Sequence, residues 1–296
     1  MINKREMVTI GATLIDGKEL AKQKRLQIKS RVERLEKAGK VPGLTVILVG
    51  DDPASAIYVN LKAKACKAIG IHSEVIRLPS SITEEQLLDH VKRCNDDPQV
   101  DGILVQLPLP EHINEDTVID TIHPDKDVDG FHPINVGKLT IGKQGFIPCT
   151  PFGVMEMFRA YRIPLEGKHA VVIGRSNIVG KPMSLLLQRE NATVTMCHSR
   201  TKDLKMIAKQ ADIVVAAIGR PEFVTVDYIK PDSVVIDVGM NRLQSGKLVG
   251  DVAFDEVNKI AAYITPVPGG VGPMTITMLL HNTVWSAERQ QNIIYE

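Results

Sequence analysis

Short apolar runs alternate along the chain with longer segments that have the character of helices. Leu44–Val49 is a continuous apolar run, which is typical of a parallel strand buried on both faces. Asp52 and Pro53 follow it as the predicted N-cap and first residue of a helix that ends at Gly70. The other elements predicted in this half are the strand Ser73–Leu78, a helix from the capping box Thr83-x-x-Gln86 toward Asn95, and the strand Ile103–Leu107.

A looser stretch from about residue 125 to residue 149, rich in proline, glycine and charge, separates this pattern from a second one. Thr150 and Pro151 predict the N-cap and first residue of a helix that continues through Tyr161. The elements predicted after it are strands at 170–173, 192–197, 212–217 and 233–238, with helices at 181–189 and 203–209. A final helix, 274–288, follows the segment 266–273, which is rich in proline and glycine.

Helix and strand alternate in each half, which predicts an α/β fold with two doubly wound domains. The second domain is expected to be a Rossmann-type dinucleotide-binding domain, with the C-terminal helix returning to the first domain. We place the first domain at residues 7–148 plus 274–296 and the second at residues 149–273. A chain of 296 residues is long enough for two such domains, each with its own core.

Composition narrows the classes of function without choosing among the remaining ones. The formal net charge is +1 and no basic block stands out, which argues against nucleic acid as the main partner. The chain has no apolar run that could span a bilayer and no secretory signal, so we expect a cytoplasmic protein without membrane contact. No cysteine or histidine spacing fits a metal motif, and the isolated cysteines predict reduced thiols: Cys66, Cys94, Cys149 and Cys197.

The segment 170–182 predicts a phosphate site, because an apolar strand runs directly into a glycine turn and a helix. Gly174 fits the first glycine of the dinucleotide pattern. Ser176 stands where the second glycine is usual, and Gly180 comes one residue late. The alternative interpretation is an ordinary turn between a strand and a helix that contains two glycines.

The end of the next predicted strand favours NADP over NAD. An NAD-binding fold usually has an acidic residue there, which holds the ribose hydroxyls. Here His198, Ser199, Arg200 and Thr201 follow the strand, and Arg175 lies in the glycine turn. Guanidinium groups and a hydroxyl suit a 2′-phosphate, which a carboxylate would repel. The alternative is that both arginines are solvated surface charges.

Tyr58 and Lys62 form the first candidate for chemistry. They are four residues apart in a predicted helix, so they share a face, and we expect that face near the helix start at the carboxyl edge of the strands. A lysine between apolar residues and a phenol could exchange protons near neutral pH. The competing interpretation is a tyrosine packed on the core beside a lysine that extends to solvent.

Two polar features of the first half could support that candidate. Gln106 interrupts an apolar run at the end of a predicted strand, where its amide needs a partner such as a ligand, Lys62 or the loop backbone. Asp127 and Asp129 are paired in a loop. Such a pair could bind metal, cap a turn, or accept hydrogen bonds from the amino group and ring nitrogen of a heterocycle.

Five segments resemble the bifunctional methylenetetrahydrofolate dehydrogenase/methenyltetrahydrofolate cyclohydrolase family, in the family's order and over nearly the whole chain. They are 49–62 (VGDDPASAIYVNLK), 102–110 (GILVQLPLP), 126–130 (KDVDG), 174–183 (GRSNIVGKPM) and 268–275 (PGGVGPMT). The resemblance implies NADP on the second domain, a homodimer, and two reactions. These are oxidation of 5,10-methylenetetrahydrofolate to the methenyl form and hydrolysis of that product to 10-formyltetrahydrofolate.

The resemblance also implies a role for each candidate residue. Lys62 would handle protons in the cyclohydrolase step, Tyr58 would stack on or position the folate, Gln106 would tune Lys62, and Asp129 would anchor the pterin. The further substrate contacts implied are Val105, Leu107, Pro268, Gly269, Gly270, Val271 and Gly272. The implied cofactor contacts are Gly174, Arg175, Ser176, Ser199, Arg200, Thr201 and Met240.

The chain departs from the family pattern in two places. Met240 stands where a branched aliphatic residue is common, and the residues before about Val8 form an extension outside the pattern. Two other functions stay open at this stage. One is a dehydrogenase without cyclohydrolase activity or another NADP oxidoreductase, and the other is a cofactor-binding regulatory module without turnover.

Overall fold

The computed structural model describes residues 11–291, so the extension predicted before Val8 lies outside the described residues. The chain folds into two compact units. The three-stranded unit contains residues 19–153 and 273–291, and the six-stranded unit contains residues 11–18 and 154–272. This division assigns the segment before Glu19 to the six-stranded unit and not to the predicted first domain. The reason is that Thr13 and Leu14 pair with Tyr263 and Ile264 in the larger sheet.

The three-stranded unit is built on three parallel strands. Its strands are β2 (Gly43–Val49), β3 (His72–Leu78) and β4 (Gly102–Val105). Its helices are α2 (Pro53–Ile69), α3 (Glu84–Asp96), α4 (Glu115–Thr121) and α5 (Pro133–Thr140), together with most of α1 (Gly17–Lys37) and α10 (Val271–Gln290) and the start of α6 (Cys149–Ala160). The strand order is β3-β2-β4, with every pair parallel.

The central strand β2 is buried along its whole length, as its continuous apolar run predicts. On one side of the sheet, Ile47, Ile103 and Val105 pack with Leu87 and Val91 of α3. Strand β3 lies on one side of β2 and β4 lies on the other. The chain therefore changes its winding direction between β2 and β4. Ligands of open α/β sheets bind at the carboxyl ends of strands at such a point.

Helix caps account for several predicted boundaries. Asp52 accepts the hydrogen bond of Ser55 N at 2.7 Å, and Gly70 ends α2 in the left-handed conformation, at φ 88°. The capping box of Thr83 and Gln86 forms at the start of α3, as predicted. These three local predictions are confirmed.

Several predicted boundaries are wrong by two or three residues. Helix α6 begins at Cys149, so Thr150 and Pro151 lie inside its first turn, where a missing N–H costs no intrahelical bond. Helix α10 begins at Val271 and not at Met274. Strand β4 ends at Val105 and not at Leu107, because pairing with β2 stops there.

The six-stranded unit follows the predicted alternation. Its strands are β1 (Thr13–Leu14), β5 (His169–Ile173), β6 (Thr193–Cys197), β7 (Ile213–Ala216), β8 (Val234–Asp237) and β11 (Tyr263–Ile264), with the separate hairpin of β9 (Asn241–Arg242) and β10 (Leu248–Val249). Its helices are α7 (Gly180–Arg189), α8 (Leu204–Ala208) and α9 (Phe254–Val257), with a 3-10 turn at Val226–Tyr228. The patterns did not predict β1, β9, β10 and β11, or the helices α1, α4, α5 and α9.

The larger sheet is parallel in the order β6-β5-β7-β8-β11-β1. This is the doubly wound arrangement with its change of direction between β5 and β7. The prediction of an α/β fold with two domains and parallel sheets is therefore confirmed. Within residues 11–291, no helix has both the length and the apolar character to cross a membrane.

Candidate functional site

Lys62 and Gln106 meet beside the carboxyl end of β4. The Lys62 ammonium donates a hydrogen bond to Oε1 of Gln106 at 3.0 Å. The Gln106 Nε2 donates to the carbonyl of Leu107 at 2.7 Å, and the Gln106 backbone N–H donates to Ile47. The amide is thus held with its oxygen toward the lysine. Both partners predicted for Gln106, Lys62 and the loop backbone, are present.

The helix register explains how Lys62 reaches this point. Helix α2 begins at Pro53, so Lys62 lies in its middle and not near its start, contrary to the sequence-based placement. Long side chains on a helix lean toward its N-terminus. This direction carries Lys62 back toward the strand ends. Tyr58 lies one turn earlier on the same face and is half-buried, as Lys62 is.

Asp129 belongs to the same electrostatic neighbourhood. Burial raises the pKa of its carboxyl group, while the charge of Lys62 and a hydrogen bond from the Cys149 thiol oppose that rise. Burial, followed by the charge of Asp129, raises the pKa of the Cys149 thiol well above its ordinary range. Cys149 therefore stays protonated, and its single S–H lies within reach of two acceptors, the Asp129 carboxyl group and Val128 O at 3.3 Å. The site holds an ammonium, an amide and a carboxyl group close together.

Asp127 has a structural role in this loop. One of its carboxylate oxygens accepts from the backbone N–H groups of Gly130 and Phe131, and the other accepts from His132 N and Asn135 Nδ2. Burial raises the pKa of this carboxyl group to about 7. The hydrogen bonds of Asp127 show that it caps a turn, which is one of the roles considered for the pair Asp127 and Asp129. In the described part of the chain, no group of three or more histidine, cysteine or acidic residues could hold a metal ion.

The glycine turn after β5 is shaped for close backbone approach. Gly174 has φ +134°, and a side chain there would collide with the carbonyl oxygen of Ala217. A side chain at Gly180 would collide with the carbonyl of Gly174. Ser176 Oγ accepts the N–H groups of Val179 and Gly180 at 3.2 and 3.3 Å, so the serine closes the turn that leads into α7, at the position where a second glycine is usual. The turn thus fits a dinucleotide phosphate without that second glycine.

The loop after β6 presents exposed polar side chains. Thr201 Oγ1 accepts from His198 N at 2.9 Å, and His198 Nδ1 accepts from Arg200 N at 3.1 Å. These bonds fix the loop while Ser199 and Arg200 remain exposed. Because β5 and β6 are parallel neighbours, this loop and Arg175 of the glycine turn lie at the same edge of the sheet. The absence of an acidic residue here suits NADP.

The structure divides the predicted substrate residues between the two units. Tyr58, Lys62, Asp129 and the segment 105–107 belong to the three-stranded unit, whereas Pro268–Gly272 belong to the six-stranded unit. In the latter segment, Gly269 has φ +110° and Gly270 packs against Pro266 and Thr265. Met240, predicted to contact the cofactor, is 40% exposed in the loop after β8.

Sequence reasoning missed several residues that shape these sites. Asn282 of α10 donates to Val128 O at 2.8 Å and to Ile147 O at 3.1 Å, next to Asp129 and Cys149. Asp237 and Asp251 are buried among backbone N–H groups near the dinucleotide turn. Asp237 ends a buried apolar run just as Gln106 follows one, so the same signal could have identified it.

The fold and the two sites define an α/β enzyme with a dinucleotide-binding unit. The chain belongs to the tetrahydrofolate dehydrogenase/cyclohydrolase family: its residues 15–129 match the catalytic domain of that family, and residues 148–291 match the NAD(P)-binding domain. The family predicted from sequence motifs is therefore confirmed.

Known relatives cover nearly the whole chain. A protein of Bacillus cytotoxicus called bifunctional protein FolD is 59% identical over 278 residues, which are 94% of this chain and 97% of that protein. The crystal structure of the bifunctional enzyme FolD from Campylobacter jejuni is 53% identical with TM-score 0.93, covering 94% of this chain and 99% of that one. The Trypanosoma brucei enzyme, solved with NADP and an inhibitor, is 42% identical with TM-score 0.92, covering 95% and 99%.

Proposed function

We propose that this chain is a bifunctional folate enzyme that uses NADP. It oxidises 5,10-methylenetetrahydrofolate to 5,10-methenyltetrahydrofolate and then hydrolyses this product to 10-formyltetrahydrofolate. Family membership over both domains supports the two activities, and the NADP in the Trypanosoma brucei relative supports the cofactor. The observation that carries the proposal is the 3.0 Å hydrogen bond between Lys62 and Gln106, in the neighbourhood of Asp129.

Lys62 is the proposed proton-handling residue of the hydrolysis. Water adds to the methenyl carbon and releases a proton. The new hydroxyl group then loses its proton as the bond from that carbon to N5 breaks and N5 is protonated. Lys62 Nζ is positioned by Gln106 to relay these protons, because a single fixed amine can accept and return them within one site. Positioned proton transfer of this kind is worth roughly a hundredfold to ten-thousandfold in rate.

Asp129 is the proposed anchor of the pterin. Its carboxyl group can accept hydrogen bonds from an amino group and a ring N–H when it is ionised. Burial raises the pKa of this carboxyl group and opposes ionisation, whereas the nearby charge of Lys62 favours it. Tyr58 is proposed to stack on the folate, with Val105 and Leu107 as apolar contacts. The segment Pro268–Gly272 is proposed as a further part of the folate site.

The proposed NADP site is the carboxyl edge of the six-stranded sheet. The turn Gly174–Ser176 would hold the pyrophosphate, and Ser199, Arg200 and Thr201 with Arg175 would hold the 2′-phosphate. Met240 would contact the cofactor through its flexible thioether side chain. When bound, NADP supplies the acceptor for the hydride that leaves the methylene carbon. The exposed Arg200 and the lack of an acidic residue at positions 198–202 support NADP as the cofactor of this site.

We further propose that the protein is a cytoplasmic homodimer. The four cysteines are buried free thiols, which is the state expected in a reducing compartment. The dimer is carried over from the family resemblance.

The test is an assay with 5,10-methylenetetrahydrofolate and either NADP or NAD, following the reduced cofactor and the folate products separately. We expect reduced cofactor with NADP in clear preference to NAD, and 10-formyl product rather than accumulated methenyl product. Accumulation of the methenyl form would instead identify a dehydrogenase without cyclohydrolase activity. Absence of reduced cofactor would identify a binding module without turnover. Methenyl substrate supplied directly serves as the control for the hydrolytic step.

A further inference from the structure

Asp251 is a fully buried carboxylate held entirely by hydrogen bonds from two loops. One oxygen accepts the N–H groups of Ile218 at 2.7 Å and Gly219 at 3.0 Å. The other accepts Arg220 N and the side-chain amide of Asn241, both at 2.9 Å. Within residues 11–291 no cationic side chain forms an ion pair with Asp251, so backbone dipoles and one amide balance its charge. Such bonds to a charged acceptor are the strong ones.

Asp237 holds Asp251 in turn. Its carboxylate accepts the N–H groups of Gly239, Asp251 and Val252, each at 2.9 Å. Side chains are excluded next to both acids, because a Cβ at Gly239 would overlap the Asp251 carboxylate and one at Gly250 would overlap that of Asp237. The two aspartates therefore form one rigid buried unit beneath the loops.

These loops follow β7 and β8 at the carboxyl edge of the sheet. The residue before Ile218 is Ala217, whose carbonyl touches the glycine turn at Gly174. The loop after β8 contains Met240 and leads directly into Asn241, the first residue of β9. The loop after β6, on the other side of β5, carries the side chains suited to the adenosine ribose phosphate. With the pyrophosphate held at the end of β5, the loops after β7 and β8 would hold the nicotinamide half of a dinucleotide.

We propose that Asp251 is a positioning residue that fixes the loops Ile218–Arg220 and Met240–Asn241 for the nicotinamide half of the cofactor. This proposal rests on the NADP-dependent function proposed above. Asp251 lies beneath the loops and acts through their backbone N–H groups. Its removal therefore weakens cofactor binding at one end of the cofactor only.

The decisive variant is Asp251→Asn, which places an NH2 group against backbone donors. We expect the Kd for NADP, measured by calorimetry, to rise about tenfold to a hundredfold, the effect of losing bonds to a charged acceptor. The affinity for adenosine 2′,5′-bisphosphate, which has no nicotinamide half, should stay within about twofold. Hydrolysis of supplied methenyltetrahydrofolate should also be unchanged, since that step needs no NADP.

Two results would overturn the proposal: an unchanged Kd for NADP, or an equal loss of affinity for NADP and adenosine 2′,5′-bisphosphate. The matched control is Asp255→Asn at an exposed acid of α9, which should leave every value unchanged. If Asp251→Asn does not fold, Asn241→Ala decides the matter, because it removes one donor and leaves the carboxylate in place. A folded Asn241→Ala protein with wild-type affinity for NADP would refute the assignment. Wild-type activity with NADP separates this outcome from failure of the proposed function.

Discussion

The two units wind their strands in the same way but build their sites from different materials. In each sheet a strand is flanked by the two strands that follow it in the chain: β2 lies between β3 and β4, and β5 lies between β6 and β7. In both units most candidate residues come after the carboxyl ends of these strands. In the three-stranded unit the site is made of side chains, with the Lys62 ammonium on the Gln106 amide. In the six-stranded unit the dinucleotide turn is made of backbone, with Gly174 at φ +134° beside the carbonyl of Ala217.

This difference separates proton chemistry from ligand binding. An ammonium fixed by an amide can move protons, whereas a backbone turn can only bind and orient. Substitutions at the first site should therefore lower turnover and leave affinity largely intact. Substitutions at the second should lower affinity and leave the NADP-independent step intact.

The largest effect is expected for Lys62→Met, which keeps the aliphatic stem and removes the amine. Hydrolysis of methenyltetrahydrofolate should fall roughly a hundredfold to ten-thousandfold, because the proton relay is lost. Binding of folate and NADP, measured by calorimetry, should remain. Lys64→Met, at an exposed lysine of the same helix, is the control and should hydrolyse the substrate at the wild-type rate. A Lys62→Met protein with wild-type hydrolysis would remove Lys62 from the mechanism.

A smaller effect is expected for Gly174→Ala, which forces a side chain against Ala217 at a positive φ. Strain at such a backbone position costs roughly 1–3 kcal/mol, so the unfolding free energy should fall and the Kd for NADP should rise about tenfold or more. Hydrolysis of supplied methenyltetrahydrofolate should be retained.

The control for that variant is Gly167→Ala, where φ is +71° but nothing lies within 4 Å of the added Cβ. It should lose stability through the backbone alone and keep wild-type affinity for NADP. Equal affinities of the two variants for NADP would show that the close approach at Gly174 is irrelevant to binding.

The smallest effect, counted per pH unit, is expected in the pH dependence of the unfolding free energy, to which each unit contributes one buried acid. Burial raises the pKa of both Asp127 and Asp237 to about 7, so the folded protein keeps protons that the unfolded chain has lost above pH 4. The unfolding free energy should therefore fall as pH rises from about 4 to about 7 and level off above that, with a maximum slope of about 1.4 kcal/mol per pH unit for each group.

Asp127→Asn and Asp237→Asn should each flatten this slope, measured by denaturant unfolding at several pH values. Each variant also loses hydrogen bonds, so its absolute stability is expected to fall as well, and the slope is the informative quantity. Replacing the exposed Asp255 by Asn should leave the slope unchanged. Slopes in both variants equal to that of the wild type would contradict the raised pKa values.

Local patterns were sufficient for much of the fold. The cap at Asp52, the left-handed Gly70 and the capping box at Thr83 depend on neighbouring residues, so they could be predicted from sequence alone. The predicted start of α6 at Pro151 was wrong by two residues, because a proline is tolerated throughout the first helical turn. The two-residue strand β1 left no readable period, and only its pairing with Tyr263 and Ile264 defines it.

The candidate sites were predictable to the extent that they followed a strand. Gln106 and the glycine turn come directly after buried apolar runs, so the change from apolar to polar residues or glycine marks them in the sequence. Asn282 could not be found in this way, because its partners Val128 and Ile147 are 154 and 135 residues away in the chain. Asp251 was missed for the same reason, since its donors lie in two loops that only the sheet brings together.

The amino-acid sequence alone was enough to recognise the family, through the resemblance of five motifs, and to predict most of the alternation of longer strands and helices. These features depend on motifs and local spacing, which the chain carries without folding. The tertiary structure decided which residues meet. It set Lys62 on Gln106 across 44 positions, assigned Asp127 to its own loop and Asp251 to the loop after β7, and placed residues 11–18 in the six-stranded unit. Such contacts depend on the parallel pairing of distant strands, which no local pattern encodes.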